Sequence, residues 1–249
     1  MPQLPTLVKM LESGLHFGHK RSRRYPKMEP FIFTTKNDIN IIDLRLSLDY
    51  LTRALEYIQK LGESGATLLF VGTKKQAAPL VMKYAGECNQ PYVTTRWIGG
   101  TLTNFAIISK MIKKYWNLTG QRDSGDFEKY TKKEQLDLSR EIEELESLIG
   151  GIKNMQKLPT ALFIVDISSD STATKEASIK GLPIVALCDT NVNPELVNYP
   201  IPANDDAVKG IDLILGLVAK SYLEGSAKKT QAKELEEAKK QGTEKTLEI

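Results

Sequence analysis

Residues 96–105 read Arg-Trp-Ile-Gly-Gly-Thr-Leu-Thr-Asn-Phe, joining a cation, an indole, a paired glycine and three small polar side chains in one run. The run follows a strand predicted over 91–95 and leads into a helix predicted to open near Thr103. Such a junction presents backbone N–H groups, the Arg96 guanidinium and the Trp97 indole at one edge of a sheet, where an anion can dock. Gly99 and Gly100 form the turn within it, at positions where a Cβ is expected to be forbidden. The surrounding charge points the same way. No acidic residue occurs between Glu87 and Asp123, while Arg96, Lys110, Lys113, Lys114 and Arg122 lie in that stretch. A second block, 19–36, holds Lys20, Arg21, Arg23, Arg24, Lys27 and Lys36 against the single acid Glu29. Two cationic blocks in a chain of net charge +3 suggest a phosphate backbone as partner.

Enzymatic readings find less support. The chain has neither GxGxxG nor GxxxxGK[ST], and Gly72-Thr73-Lys74-Lys75 lacks the second glycine and the magnesium-binding hydroxyl of a phosphate loop. Lys74 and Lys75 are therefore expected to be solvent-facing cations or contacts to a polyanion. His16 and His19 are the only histidines. A carboxylate from Asp189, Asp205 or Asp206 could join them in a metal set, because strand ends converge in α/β folds. The expectation is nonetheless of hydrogen-bonded structural histidines, with no cofactor. Asp166, Asp170, Asp189 and Asp205 are available acids, but each can serve as a helix cap or loop acceptor, and no nucleophile–base pair stands out.

The elements that must position these residues follow from periodicity. Leu4, Leu7, Val8 and Leu11 form a short amphipathic stripe closed by Gly14. The basic block contains Pro26 and Pro30 and reads as largely irregular. A strand is predicted over 39–44, then a helix capped by Ser47 and ended by Gly62. Strands over 66–73, 91–95, 161–167 and 184–190 alternate with helices over 74–87 and 172–180. Runs apolar on both faces and separated by helices predict a mostly parallel sheet, Rossmann- or flavodoxin-like, in a three-layer α/β/α domain. The proline-rich 200–202 segment belongs at an edge, and a last helix opens near Asp205. Between the two βα pairs, Ile108, Met111, Tyr115 and Leu118, then Leu138, Ile142, Leu145, Ile149 and Ile152, keep heptad spacing. With a capping box at Thr131 and Glu134, they predict an inserted antiparallel helical hairpin whose arms bury their stripes mainly on each other. The expected organisation is a core of 1–105 and 150–225, a hairpin of 106–149 and a mobile polar tail of 226–249.

With 41% hydrophobic residues the chain can bury a core. Cys88 and Cys188 form no CxxC pair, which fits a reducing compartment. No N-terminal signal pattern and no apolar run near ~18 residues are present, so a cytoplasmic protein without a membrane partner is expected.

Six motifs in order then carry a resemblance: 14–19 (GLHFGH), 26–28 (PKM), 30–33 (PFIF), 96–105 (RWIGGTLTNF), 150–153 (GGIK) and 201–207 (IPANDDA). Together they resemble the bacterial-type family of small-ribosomal-subunit protein number two, over about residues 4–222; Ala203 stands where that family usually has glycine. The resemblance implies an α/β/α core with a protruding hairpin and a non-enzymatic role on the small subunit. It also implies contacts with small-subunit rRNA, with neighbouring ribosomal proteins, and with the large RNA-binding ribosomal protein numbered one. RNA-contacting cations are then expected at Lys20, Arg21, Arg23, Arg24, Lys27, Lys36, Lys74, Lys75, Arg96, Lys110, Lys113 and Lys114. The rival reading is a nucleotide-binding enzyme of doubly wound fold.

Overall fold

The computed structural model describes the backbone of residues 3–246 and the side chains of residues 3–230. Its centre is a five-stranded all-parallel sheet built from β4 (Leu68–Val71), β5 (Tyr92–Val93), β6 (Ala161–Ile164), β7 (Ile184–Cys188) and β8 (Tyr199–Pro202). The strand order is β5-β4-β6-β7-β8, so the connection direction reverses between β4 and β6. The three inner strands are buried at every position, as a sheet covered on both faces requires. Alternation divides their side chains. Leu68, Phe70, Phe163, Val185 and Leu187 enter one core, while Leu69, Val71, Leu162, Ile164 and Ala186 enter the other. β8 carries Pro200 and Pro202 at the sheet edge, where a missing N–H does no harm.

The first core is closed by α2 (Leu44–Ser64), α3 (Ala78–Glu87) and α7 (Val208–Thr246). α2 starts one turn earlier than Ser47 predicts. Asp43 caps it by accepting from the Arg45 N–H at 2.9 Å, and buried Ser47 donates back to the Asp43 carbonyl. Gly65, at φ +66°, ends it, so Gly62 lies inside the helix. There it meets α7: a Cβ on Gly62 would stand 2.2 Å from the Tyr222 carbonyl oxygen, and one on Gly225 2.1 Å from that of Gln59. α3 begins only at Ala78, because residues 74–77 form a turn beyond the end of β4.

The second core is closed by α6 (Ser171–Ile179) and by the bases of α4 (Phe105–Asp123) and α5 (Lys132–Ile149). The capping box at Thr131 and Glu134 is present. The arms do not bury their stripes only on each other. Ile108, Ile112, Tyr115, Ile142, Leu145 and Ile149 share one cluster with sheet residues, whereas Leu136 is exposed further out.

At the N-terminal end, α1 (Leu7–Glu12) is capped by Thr6, but the predicted apolar stripe is not its buried face. Leu4, Leu7, Val8 and Leu11 are exposed and Met10 fills the core, because the chain reverses at Gly14 (φ +76°) and drives Met10 and Leu15 inward. The basic block is less irregular than its prolines suggest. β1 (Phe17–Lys20), β2 (Ile32–Lys36) and β3 (Ile39–Ile42) form a small antiparallel sheet in the order β1-β3-β2. Asn37 and Asp38, both at positive φ, make the tight β2–β3 turn. α7 runs past Tyr222 to Thr246, and Lys228 and Lys229 reach Glu63 and the Ser64 carbonyl of α2. Of the polar tail expected over 226–249, the side chains beyond 230 lie outside the described residues.

Candidate nucleic-acid interface

The antiparallel sheet arranges the first cationic block. Lys20 of β1 and Lys36 of β2 both pair in register with Ile39 of β3, so they flank that strand at one level, about 10 Å apart. Arg21 and Arg23 follow in a short 3-10 turn whose backbone is fixed by the Arg21 N–H donating to the Asp38 carbonyl at 2.8 Å. Lys20, Arg21, Arg23 and Lys36 are all exposed, and none has a carboxylate partner among the described residues. Two members of the block differ. Lys27 pairs with Glu195, and Arg24 stands 3.5 Å from Glu29. The second block divides similarly: Arg96, Lys110 and Lys113 are exposed without a carboxylate partner among the described residues, while Lys114 pairs with Glu141.

The 96–105 run does bind an anion, but the anion is the protein's own. The Glu176 carboxylate, from α6, accepts from the Trp97 indole N–H (3.1 Å) and the Gly100 N–H (2.7 Å) on one oxygen. Its other oxygen accepts from Leu102 N–H (2.9 Å), Thr103 N–H (3.1 Å) and the Thr103 hydroxyl (3.1 Å). Burial opposes ionisation here, yet the donors outweigh it and hold the carboxyl below its ordinary range. The loop is thus a nest already filled from inside, which leaves Arg96, exposed, as the cation of the run. Gly100 needs its glycine, at φ +90°, whereas a Cβ on exposed Gly99 would meet nothing within 4 Å. The expectation that both positions forbid a side chain therefore holds inside this chain only for Gly100.

Lys74 departs furthest from expectation. It does not face solvent; its ammonium sits 2.7 Å from Asp205, 2.8 Å from Asp206 and 3.0 Å from Asp166, at the C-terminal ends of β4, β6 and β8. Burial acts against its charge, but the three carboxylates raise its pKa well above the usual lysine value. Lys75, next in sequence, is exposed as predicted. Carboxylates outnumber the cation, and Asp205, buried beside Asp166 and Asp189, is pushed up to about 7. Asp170, buried and accepting from the Thr73 hydroxyl at 2.9 Å, is raised to about 6. Asp166 is held low despite burial by Ser169 and Lys74. A phosphate entering this edge would meet acids, not a cradle.

The two histidines separate. His19 Nδ1 lies 2.9 Å from Asp189, which raises its pKa, and the His19 backbone N–H donates to the Thr190 hydroxyl oxygen at 2.9 Å. His16 packs its ring on Phe17, and burial lowers its pKa. His16, His19, Asp189 and Asp205 do not form a ligand set: among the described residues no three His, Cys, Asp or Glu groups are arranged to hold a metal ion. His19 instead ties β1, and with it the cationic sheet, to the end of β7. Cys88 and Cys188 are buried thiols; burial pushes Cys88 up to about 12 and Cys188 higher still.

The family model described as Ribosomal protein S2 matches residues 10–225. The chain belongs to the ribosomal protein S2 family. Among curated relatives, the small ribosomal subunit protein uS2 of Chloroflexus aurantiacus is 44% identical over 234 residues, covering 94% of this chain and 98% of its own length. The protein of the same name from Roseiflexus sp. is 48% identical over 223 residues, covering 90% and 85%. That from Micrococcus luteus is 46% identical, covering 88% and 78%. All twelve candidate cations and the Glu176 nest fall within the family match, whereas 226–249 lies beyond it. Sequence reasoning missed Glu176. Its only signal was an acid inside an otherwise ordinary helix, 71 residues beyond the end of the run it organises.

Proposed function

We propose that this S2-family protein is a structural constituent of the small ribosomal subunit, in the cytoplasm, gripping small-subunit rRNA through phosphate contacts. The observation that carries the reading is the set of exposed cations without carboxylate partners among the described residues, Lys20, Arg21, Arg23 and Lys36, on and beside a small sheet braced against the α/β core. A fixed scaffold presenting uncompensated charge suits a polyanion whose affinity derives from counterion release. Arg96, Lys110 and Lys113 form the second contact, while Lys74, Lys27 and Lys114 are spent on internal or surface ion pairs. The S2-family names of the relatives support the same assignment. Contacts with neighbouring ribosomal proteins, a part in subunit assembly, and docking of the large RNA-binding protein numbered one belong to this reading through the resemblance. The division into a core of 1–105 and 150–225, an inserted hairpin of 106–149 and a polar tail of 226–249, read from periodicity and composition, is part of the same proposal.

The test is binding to small-subunit rRNA across a salt series. Each phosphate contact contributes roughly 0.7 to 0.9 unit of log–log slope. Arg21→Gln with Arg23→Gln should flatten the slope by about 1.5 units and displace the protein from sedimenting small subunits at moderate salt. An unchanged slope in a folded variant removes the block from the interface. The nucleotide-enzyme reading is disfavoured by the geometry at Lys74, where three carboxylates hold the lysine that follows β4, where a phosphate-loop lysine would stand.

A further inference from the structure

Trp116 is one of the large apolar side chains that the fold leaves exposed among the described residues. Trp97 is 8% exposed and hydrogen-bonded to Glu176, but Trp116, on α4, is 47% exposed. Its ring is nevertheless fixed. The indole N–H donates to the Lys153 carbonyl at 3.1 Å, and the ring meets Tyr115 edge-on with centroids 5.4 Å apart. An aromatic surface held in place yet left in water is preorganised for a planar ligand.

Trp116 borders a cavity of about 750 Å³ between α4 and the 153–156 segment. Ser109, Lys113, Lys153, Asn154 and Gln156 give its polar lining, and no carboxylate lines it among the described residues. Lys153 is neutralised by Glu146 at 2.8 Å, so the uncompensated charge at the groove is that of Lys113, with Lys110 one turn back on α4. Asn154 and Gln156 are exposed and make no side-chain hydrogen bond among the described residues. The apolar members, Ile112 and Met155, are buried at 8% and 6%, which leaves little to attract an apolar protein segment. A stacking platform, free amides for base edges and lysines for phosphates describe the needs of an unpaired nucleotide.

We propose that the groove between α4 and residues 153–156 binds a single-stranded stretch of RNA, with one base stacked on Trp116 and its flanking phosphates on Lys113 and Lys110. The inference rests on the RNA-binding reading above but uses a different surface from the β1–β3–β2 sheet.

The full chain should be titrated with single-stranded oligouridylate and with an RNA duplex while tryptophan emission is followed. The single strand should quench the emission, and Trp116→Leu should abolish the quenching and weaken binding roughly 5- to 100-fold without altering the salt slope. Trp116→Phe, which keeps a ring, should bind within about threefold of the parent, and Lys113→Gln should lower the slope by about 0.7. Should Trp116→Leu fail to fold by circular dichroism, parental quenching together with the Phe and Gln variants decides the matter. Equal affinity in Trp116→Leu, or equal quenching by the duplex, overturns the proposal. Unaltered RNA affinity with lost incorporation into small subunits also overturns it, by giving the groove to a protein neighbour. The Arg21/Arg23 variant is read on structured rRNA and the Trp116 variants on an oligonucleotide, so either reading can fail while the other stands.

Discussion

Five donors converge on the Glu176 carboxylate, and three of them are backbone N–H groups of a loop with no regular secondary structure. A loop of that kind, carrying Gly99 and Gly100, has no ladder to satisfy its amides, so the side chain from α6 supplies the acceptors that water or a ligand otherwise would. Removing it strands buried donors, which costs more than one ordinary hydrogen bond returns. Glu176→Ala is expected to destabilise the fold by about 3–5 kcal/mol in urea denaturation, with Trp97 emission shifting to the red. Glu176→Gln, which keeps the shape but turns an NH₂ toward donors, should cost about half as much. Equal stability of parent and Ala variant would mean that the loop finds other partners. Gly99→Ala should leave stability within about 0.5 kcal/mol, since nothing among the described residues opposes its Cβ, whereas Gly100→Ala must strain a φ of +90° and should cost about 1–2 kcal/mol.

Among the elements, α2 and α7 pack extensively on each other, and Gly62 and Gly225 let their backbones approach. Alanine is the better helix former by about 1 kcal/mol, so Gly225→Ala or Gly62→Ala would stabilise an isolated helix. Here each new methyl would press on a carbonyl oxygen of the partner helix at 2.1–2.2 Å, and the helices must part. Net destabilisation of about 2–4 kcal/mol is expected by thermal or urea unfolding; a stabilised variant would show that the crossing is loose. This crossing also marks the limit of sequence reading. Gly62 has the signature of a helix stop, and nothing local distinguishes a glycine that ends a helix from one that lets another helix approach. The inner strands of the parallel sheet, the hairpin and the edge position of β8 were legible because periodicity and proline placement are local signals, whereas β1 and β2 were hidden in a block whose prolines read as irregular. The burial of Lys74, the Glu176 nest and the inward turn of Met10 were not, because each depends on a partner more than 30 residues away or on the direction in which a short helix faces. The hairpin shows both sides: its heptads predicted the two arms, yet the sheet takes up their bases. Ile149→Ala, fully buried at such a base, should cost about 2–4 kcal/mol, and Leu136→Ala, exposed, less than about 0.5.

At the scale of the whole molecule, charge is sorted: free cations stand on the antiparallel sheet and α4, and buried acids gather at the C-terminal edge of the parallel sheet. That sorting gives stability a pH dependence with a definite sign. Asp205 titrates near 7 and Asp170 near 6 in the fold, against an unfolded value of 3.8. Between about pH 7 and 4 the native state therefore binds protons the unfolded chain does not, and stability rises as pH falls. His19, raised by Asp189, acts in the same direction, contributing stability present below 6.5 and lost as pH rises through its folded value. His16, lowered by burial, acts oppositely and loses stability as pH falls below 6.5. Asp166 and Glu176 are held low, so their contributions disappear only in acid, below the ordinary carboxylate range. The two buried acids and His19 act together against His16, so stability is expected to rise as pH falls from neutrality. Urea midpoints measured from pH 8 down to 5 should trace that rise. Asp205→Asn, which fixes the neutral form, should flatten the rise between pH 7 and 5; a profile of unchanged shape would mean that Asp205 stays ionised beside Lys74 across the whole range.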